Sequence, residues 1–337
     1  MKNDKKGKSE IKPGTIAVIS DGSAVFGLGN IGAREALPFL IEKTVLFKEF
    51  GDVGAFPVCL GTSDPDEIVK TIKNIAPGFA GICLEGISAP QCFDIEKRLR
   101  AEAGIPVFHD DQHGTAIAVC AGVINAFRLS GKALNEAYAV VCGAGAAGSA
   151  IAKLLFKLGV RDVVVCDSKG ILSAKRIPEF GEDKLDLLEF TNKEGISGSL
   201  EDATRGCDLF VGASRPGILT GELVKNMAED PVIFAIAEPE PEIGPEAAKA
   251  AGAFVVGTGK QGFPNQINRV LVFPGVFKGA LAAGATDVTD EMKAAAAYAL
   301  AGLVSDEELN EECVLPLPGK EGLTEAVAKA VRDAWIA

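Results

Sequence analysis

Two adjacent carboxylates, Asp110 and Asp111, lie between the only two histidines of the sequence, His109 and His113. Neighbouring carboxylates disfavour folding unless a positive group lies on them, and their hard oxygens favour Mg²⁺ or Mn²⁺. A zinc site is not indicated, because no cysteine or third histidine stands at a suitable spacing. The run therefore predicts a site for a divalent metal ion. The competing interpretation is that the two aspartates only cap the helix that follows.

A glycine-rich turn at residues 143–148 follows the apolar run Tyr138–Cys142 and precedes a helix-forming stretch. This order of strand, turn and helix is what the dinucleotide-binding fingerprint requires. The first glycine permits a tight turn, the second lets the backbone approach a pyrophosphate, and the third lets helix and strand pack closely. We predict cofactor contacts from five residues of the turn, namely Gly143, Gly145, Ala146, Ala147 and Gly148. The competing interpretation is a glycine turn without a ligand.

The choice of dinucleotide depends on Asp167, which ends the next predicted strand. It follows the turn by about 20 residues, as the fingerprint requires. Its carboxylate would accept hydrogen bonds from the ribose hydroxyls and repel a 2′-phosphate, which favours NAD over NADP. Lys169 lies two residues on and softens that preference, so NADP stays open. A second glycine pattern lies at residues 27–32. No strand that ends in an acidic residue follows it at the distance that the fingerprint requires, and we assign it to a substrate domain.

Short β-branched runs alternate with helix-like stretches, and these elements must position the groups above. The predicted strands cover residues 15–20, 44–47, 105–108, 139–142, 162–166, 208–212, 232–237 and 253–257. Helices are predicted to start near residues 63–67 and to cover residues 324–335. The pattern predicts an α/β fold, with a doubly wound parallel-sheet NAD-binding domain and a smaller α/β domain for substrate and metal. We expect a mobile tail at 1–13, the substrate and metal domain at 14–131, and the NAD-binding domain with C-terminal helices at 132–337.

Composition narrows the class of protein. The formal net charge of −12 argues against nucleic acid as a partner, since phosphate binding needs clustered lysine and arginine. The eight cysteines are scattered without a C-x-x-C pair, as expected for small buried side chains in a reducing cytoplasm. The basic start of the chain has no apolar stretch behind it, and no later apolar run predicts a membrane span.

Several ordered motifs between Thr15 and Gly279 resemble the short, bacterial-type malic enzymes, and Asp306–Leu309 extends the likeness. These motifs cover residues 20–32, 47–50, 87–90, 108–116, 263–268 and 273–275. The resemblance implies a homodimer in which malate gives a hydride to NAD or NADP. The resulting oxaloacetate then loses CO₂ to form an enolate that a divalent metal ion stabilises, and pyruvate is released.

The resemblance also implies roles for individual residues. Lys43 matches the general base on the 2-hydroxyl, and burial in a closing cleft near a metal is expected to lower its pKa. Glu85 and Asp111 match metal ligands, with Asp110 beside them, and Asp111 is also assigned to catalysis. Asn268 matches a residue that contacts substrate, and we group it with the cofactor-binding residues.

The sequence departs from the family pattern at positions close to the chemistry. Gly86 and Gly262 replace acidic residues, Glu42 replaces a glycine, and Glu238 and Arg269 each replace an asparagine. The family also carries a tyrosine, in a segment ahead of the region matched here, that protonates the enolate. The tyrosines of this sequence are Tyr138, in a predicted strand, and Tyr298.

These departures leave three interpretations. In the first, Glu238 and Arg269 pair with each other or with a different substrate, and the enzyme acts on another 2-hydroxy acid. In the second, the chain is a non-catalytic or truncated relative that binds nucleotide. In the third, it is an active malic enzyme. A metal-free 2-hydroxy acid dehydrogenase is disfavoured, because both histidines lie in the aspartate-rich motif. We expect the third interpretation, a cytoplasmic NAD(P)-dependent malic enzyme.

Overall fold

The structure is a computed structural model that describes residues 14–25 and 27–336. The tail predicted for residues 1–13 lies outside the described residues.

The first sheet has four parallel strands in the order β2-β1-β3-β4. Its strands are β1 (Thr15–Ser20), β2 (Gly54–Cys59), β3 (Gly81–Leu84) and β4 (Val107–His109). The helices of this part of the chain are α1 (Ala33–Gly51), α2 (Pro65–Ile75), α3 (Gln91–Glu102) and α4 (Asp110–Ser130). Because the strands are parallel, their carboxyl ends meet at one edge of the sheet, where Glu85 and Asp110 follow β3 and β4.

The strand predicted at residues 44–47 is wrong, because these residues lie inside α1. Leu40, Lys43 and Phe47 are buried on one face of that helix, at the spacing of 3.6 residues per turn. Burial of this face outweighs the local β preference of Thr44 and Val45. The first predicted strand and the helix predicted to start near residues 63–67 are confirmed as β1 and α2, the latter capped by Asp64.

The second sheet has six strands in the order β10-β9-β8-β5-β6-β7, all parallel except for β7 at one edge. Its strands are β5 (Tyr138–Cys142), β6 (Asp162–Asp167), β7 (Gly170–Ile171), β8 (Leu209–Gly212), β9 (Val232–Ala235) and β10 (Val255–Thr258). The helices between them are α5 (Ala146–Lys157), α6 (Glu182–Leu188), α7 (Leu200–Thr204), α8 (Gly221–Lys225) and α9 (Pro245–Ala250). From β5 the chain first adds β6 and β7 on one side and then β8, β9 and β10 on the other side. The prediction of a doubly wound sheet is therefore confirmed.

The last three helices pack on one another and on α1 and α4. They are α10 (Phe273–Ala283), α11 (Asp290–Ala301) and α12 (Leu323–Asp333), the last confirming the helix predicted at residues 324–335. In α10, Phe273 and Phe277 pack on Phe47 of α1, with ring centroids 4.6 and 5.4 Å apart. One continuous apolar core therefore joins the two sheets, and the boundary predicted near residue 131 stays a prediction.

The structure also describes the cysteines and the character of the helices. All eight cysteines lie in the described part of the chain, and none of them forms a disulfide. Among the described helices, none combines the length and apolar character needed to cross a membrane.

Candidate active site

The predicted lysine and three of the predicted carboxylates meet in one buried cluster. Lys43 projects from α1, and its ammonium group donates to Glu85, just after β3, and to Asp110, at the start of α4. Lys43 is 6% exposed and Asp110 is fully buried. The ammonium group also lies 4.3 Å from the ring centroid of Phe273. The structure thus brings together side chains from three elements that are far apart in the sequence.

Arg269 occupies the centre of the same cluster. One guanidinium nitrogen, Nη1, lies 2.8 Å from Glu85 Oε1, 2.5 Å from Asp111 Oδ1 and 3.2 Å from Asp110 Oδ2. The other oxygen of Asp111 accepts from the backbone N–H of Gly86 at 2.7 Å. Glu85, Asp110 and Asp111 therefore surround a positive group that belongs to the chain itself.

The described side chains do not fit a divalent metal ion while Arg269 lies among them. In the part of the chain that the structure describes, no group of three or more His, Cys, Asp or Glu is arranged to hold a metal. Gly86 offers no carboxylate, and an added metal ion would lie against the guanidinium charge. The Mg²⁺ or Mn²⁺ ion stays a prediction from the sequence.

The charges of the cluster set the pKa values of its members. Burial opposes the charge of Lys43, but Asp110 and Glu85 outweigh burial and raise the pKa of Lys43 above its usual value. The expected lowering of this pKa is therefore wrong, because the lysine lies in contact with two carboxylates. Burial likewise opposes ionisation of Glu85, yet Arg269 and Lys43 lower its pKa to about 2. For Asp111, burial and the neighbouring Glu85 raise the pKa.

The first turn of α4 is fixed by contacts behind the cluster. Gly114 leaves space for Asp110, since a Cβ atom at Gly114 would come within 2.0 Å of Asp110 Oδ1. His113 Nε2 lies 2.8 Å from Glu96 of α3, which also accepts from the Gln112 amide at 3.0 Å. Burial lowers the pKa of His113 to about 4, so this imidazole is neutral near pH 7. These contacts hold Asp110 and Asp111 in a fixed direction.

The glycine-rich turn has the geometry that its sequence predicts. A Cβ atom at Gly143 (φ 123°) would meet the carbonyl oxygen of Ala213 at 2.2 Å, and one at Gly148 would meet that of Gly143 at 1.8 Å. At Gly145 a Cβ atom would meet nothing within 4 Å. The turn is therefore closed on the protein side and open at the N-terminus of α5, as a bound pyrophosphate requires.

Asp167 lies at the end of β6 as predicted, but its carboxylate is already occupied. Arg176 donates to both carboxylate oxygens at 3.0 and 2.9 Å, and Lys184 donates to Oδ2 at 2.7 Å. The backbone N–H of Lys169 adds a fourth contact at 2.9 Å. Burial opposes ionisation, but Arg176 and Lys184 lower the pKa of Asp167 to about 2. Two cations thus adjoin the position where the ribose of a dinucleotide would lie.

Two neighbouring cavities lie beside the cluster and the glycine-rich turn. One of about 370 Å³ is lined by Lys43, Glu85, Asn268 and Arg269. The other, of about 310 Å³, is lined by Asp111 and by Ala146 and Ala147 of the turn. Both cavities share the lining residues Thr115, Ile236 and Glu238. A substrate at the cluster and a dinucleotide at the turn would therefore be neighbours.

Asn268 lines the larger cavity, although its side chain also has a structural task. Its Oδ1 accepts from the backbone N–H of Val270 at 3.0 Å, which caps the short turn that carries Arg269. Asn268 therefore fixes the direction of the neighbouring arginine.

Sequence reasoning missed several of these contacts. It singled out Arg269 and Glu238 as departures but did not predict that Arg269 enters the carboxylate cluster. The predicted cluster has three carboxylates but only one cation, Lys43, and this imbalance indicates that a further cation is needed. No sequence signal tied Arg176 and Lys184 to Asp167, because they lie in a 3-10 helix and in α6, two short helices that follow β7.

Comparison with known proteins finds malic enzymes along most of the chain. Two family models match, "Malic enzyme, N-terminal domain" over residues 5–100 and "Malic enzyme, NAD binding domain" over residues 112–334. The chain is 53% identical over 324 residues to the bifunctional malic/malolactic enzyme of Bacillus subtilis (strain 168), covering 96% of this chain and 79% of that protein.

Relatives named for either dinucleotide are found. The chain is 45% identical to the NADP-dependent malic enzyme of Haemophilus influenzae, covering 92% of this chain and 41% of that longer protein. Among solved structures, the NAD-dependent malic enzyme of Thermotoga maritima superimposes with a TM-score of 0.91 at 46% identity, covering 95% of this chain and 84% of that one.

Proposed function

The chain belongs to the malic enzyme family, and from that premise we propose that it oxidises malate with NAD or NADP and decarboxylates the product to pyruvate and CO₂. The observation that carries the proposal is the shared wall of the two cavities, which makes the Lys43 cluster and the glycine-rich turn neighbours. The names of the relatives favour this reaction over a non-catalytic, nucleotide-binding role.

The residues of the turn fit a dinucleotide, and we assign Gly143, Gly145 and Gly148, with Ala146 and Ala147, to its binding. NAD or NADP, when bound there, supplies the acceptor for the hydride that leaves C2 of malate. The open backbone N–H groups at the N-terminus of α5 would hold the pyrophosphate. The cavity beside Ala146 and Ala147 would receive the end of the dinucleotide that faces the cluster.

Lys43 is assigned to the proton of the 2-hydroxyl group. Asp110 and Glu85 raise the pKa of Lys43, so the ammonium group stays charged while both carboxylates hold it. Lys43 therefore has to lose its own proton before it can accept that of the 2-hydroxyl group. As C2 loses its hydride, the 2-hydroxyl loses its proton and oxaloacetate forms.

Decarboxylation follows from the same arrangement. The C3–C4 bond breaks, CO₂ leaves, and the electron pair remains as an enolate, whose C3 takes up a proton to give pyruvate. The charged Lys43 is then in the state that returns a proton. Asp111, whose pKa is raised, is the second group assigned to catalysis, and Asn268 is assigned to contact with the substrate or the cofactor.

NAD is the dinucleotide that Asp167 favours, as the sequence predicts. The contacts of Asp167 with Arg176 and Lys184 weaken this preference, since both cations suit a 2′-phosphate. The metal ion expected from the resemblance, Mg²⁺ or Mn²⁺ at Glu85, Asp110 and Asp111, would require Arg269 to leave the cluster.

We further propose a homodimer in the cytoplasm. Support for the dimer is an exposed apolar stripe on α1, formed by Leu37, Ile41 and Val45. Support for the compartment is the burial of six of the eight cysteines as small apolar side chains.

The test is to add L-malate to the purified chain with NAD or with NADP, and to measure reduced dinucleotide and pyruvate in parallel. Equal amounts of both products are expected. Reduced dinucleotide without pyruvate would identify a plain dehydrogenase, and neither product despite dinucleotide binding would overturn the proposal.

A further inference from the structure

Three carboxylates from two elements converge on a single nitrogen of Arg269. All three distances from Nη1, to Glu85, Asp110 and Asp111, are between 2.5 and 3.2 Å. Side chains that hold a cation in this way usually hold a metal ion, since hard oxygens are its preferred ligands. Here the cation is a guanidinium that reaches the cluster from the turn before α10.

The guanidinium reduces the negative charge of the cluster without cancelling it. Glu85, Asp110 and Asp111 carry three negative charges, and Lys43 and Arg269 carry two positive ones, so one net negative charge remains. A divalent ion at the same point would lie against Arg269, and like charges in a buried site repel strongly. One oxygen of Asp111, Oδ2, also accepts a hydrogen bond from the backbone N–H of Gly86.

Gly86 supplies a second, independent observation. Its φ of 62° lies in the left-handed region, and an added Cβ atom would come within 3.0 Å of Ser20 Oγ. A side chain at position 86 would therefore be strained. The backbone beside Glu85 thus disfavours a further carboxylate at position 86.

We propose that Arg269 is the resident cation of the Glu85–Asp110–Asp111 cluster and stands where a divalent metal ion would bind, so that the protein takes up no Mg²⁺ or Mn²⁺ at this site. Arg269 also lines the cavity assigned to the substrate. If the proposed function holds, its positive charge is the one that faces the developing enolate, and turnover does not depend on an added metal.

The test is to titrate Mn²⁺ into the full chain and into Arg269→Asn, following the EPR signal of the free ion. The native chain is expected to leave the signal unchanged beyond weak surface binding. Removing one positive charge at hydrogen-bond distance from the ion is expected to tighten Mn²⁺ binding by roughly 100-fold or more. Arg100→Asn is the matched control, because Arg100 forms a bidentate pair with Asp287 outside the cluster. It should behave as the native chain does.

Thermal unfolding provides a second measurement. Arg269→Asn leaves three buried carboxylates against one lysine, so its Tm is expected to fall and then to rise on addition of Mn²⁺. The Tm of the native chain should not respond. If Arg269→Asn is folded only in Mn²⁺, that dependence itself supports the proposal. In Arg269→Lys the charge is kept, and Mn²⁺ uptake should stay low.

Stoichiometric Mn²⁺ binding by the native chain would overturn the proposal, and so would the absence of any gain in Arg269→Asn. Malate turnover in EDTA is measured separately and should equal turnover in Mn²⁺. If no turnover is found under either condition, the proposed function fails, while the two binding measurements still decide the role of Arg269.

Discussion

At the scale of single residues, Lys43 is distinguished by having two carboxylates on one ammonium group. We predict that Lys43→Gln lowers kcat for malate oxidation by about 10²- to 10⁴-fold, because the group that takes the hydroxyl proton is lost. KM for the dinucleotide should change little, since Lys43 lies on the substrate side of the shared wall. Lys48→Gln, five residues along the same helix and paired with exposed Asp52, is the control and should retain activity. Equal activity of both variants would refute the role of Lys43.

Asp167 favours NAD, whereas Arg176 and Lys184 favour the 2′-phosphate of NADP. We predict that Asp167→Ala raises the ratio of kcat/KM for NADP to that for NAD by roughly 10-fold or more, as Arg176 and Lys184 become available to a 2′-phosphate. Steady-state kinetics with both dinucleotides measures the ratio. Asp186→Ala removes an exposed acid from the helix that carries Lys184 and serves as the control. An unchanged ratio would mean that other groups select the dinucleotide.

Much of the residue-level site is readable from the sequence. Asp110 and Asp111 are recognisable from their shared run with two histidines, and Gly143 from its place between strand and helix. The partner of a charge is different, because it depends on which distant loops fold together. Arg269 shows this limit, since it pairs with Asp111, which lies 158 residues before it in the sequence.

At the scale of elements, the contact between α3 and α4 depends on a buried pair, Glu96 and His113. The pKa of His113 is lowered from 6.5 to about 4, mainly by burial. Between these values the unfolded chain binds a proton that the folded chain does not bind. Stability therefore falls as the pH falls through this window, and it is fully present above about pH 6.5.

We predict that His113 accounts for roughly 3 kcal/mol of the free energy of unfolding lost between pH 6.5 and 4, since one pKa unit corresponds to about 1.4 kcal/mol. His113→Gln keeps a donor for Glu96 but cannot titrate. Urea unfolding at a series of pH values should give a shallower slope for this variant over the same window. Identical slopes for both proteins would show that His113 does not govern the pH response.

The elements themselves were predictable to different degrees. Strands buried on both faces, such as β5 and β6, are continuous β-branched runs between turns, and the sequence predicts their ends to within one residue. The run at residues 44–47 looks the same locally but belongs to α1, because the apolar face that includes Leu40 and Phe47 extends over the whole helix. Periodicity over a long window decides such cases, whereas a four-residue window does not.

At the scale of the whole molecule, the site exists only because two sheets and the returning α10 meet. Phe47, Phe273 and Phe277 tie α1 to α10, and α10 directly follows the turn that carries Arg269. The sequence predicts two α/β units but not this return of the chain, since packing between distant helices leaves no local signal. The position of Arg269 thus depends on the global fold.

The outer face of α1 indicates how two such molecules associate. Leu37, Ile41 and Val45 form an exposed stripe at four-residue spacing, and Phe56 on the edge strand β2 is 58% exposed. Contiguous exposed apolar surface of this kind marks interaction sites. The opposite face of α1 carries Lys43, so a partner on this stripe would also fix the wall of the cavity.

We predict that the native chain is a dimer and that Ile41→Glu weakens dimerisation by roughly 100-fold or more, because a two-fold interface would bring two new negative charges close together. Size-exclusion chromatography with light scattering, over a range of concentrations, measures the mass. Ile177→Glu is a matched control, since Ile177 is 46% exposed and Ile41 is 47% exposed. Ile177 lies after β7, away from α1, so this variant should remain a dimer. A monomeric native chain, or a dimer that survives Ile41→Glu, would exclude the α1 stripe as the contact surface.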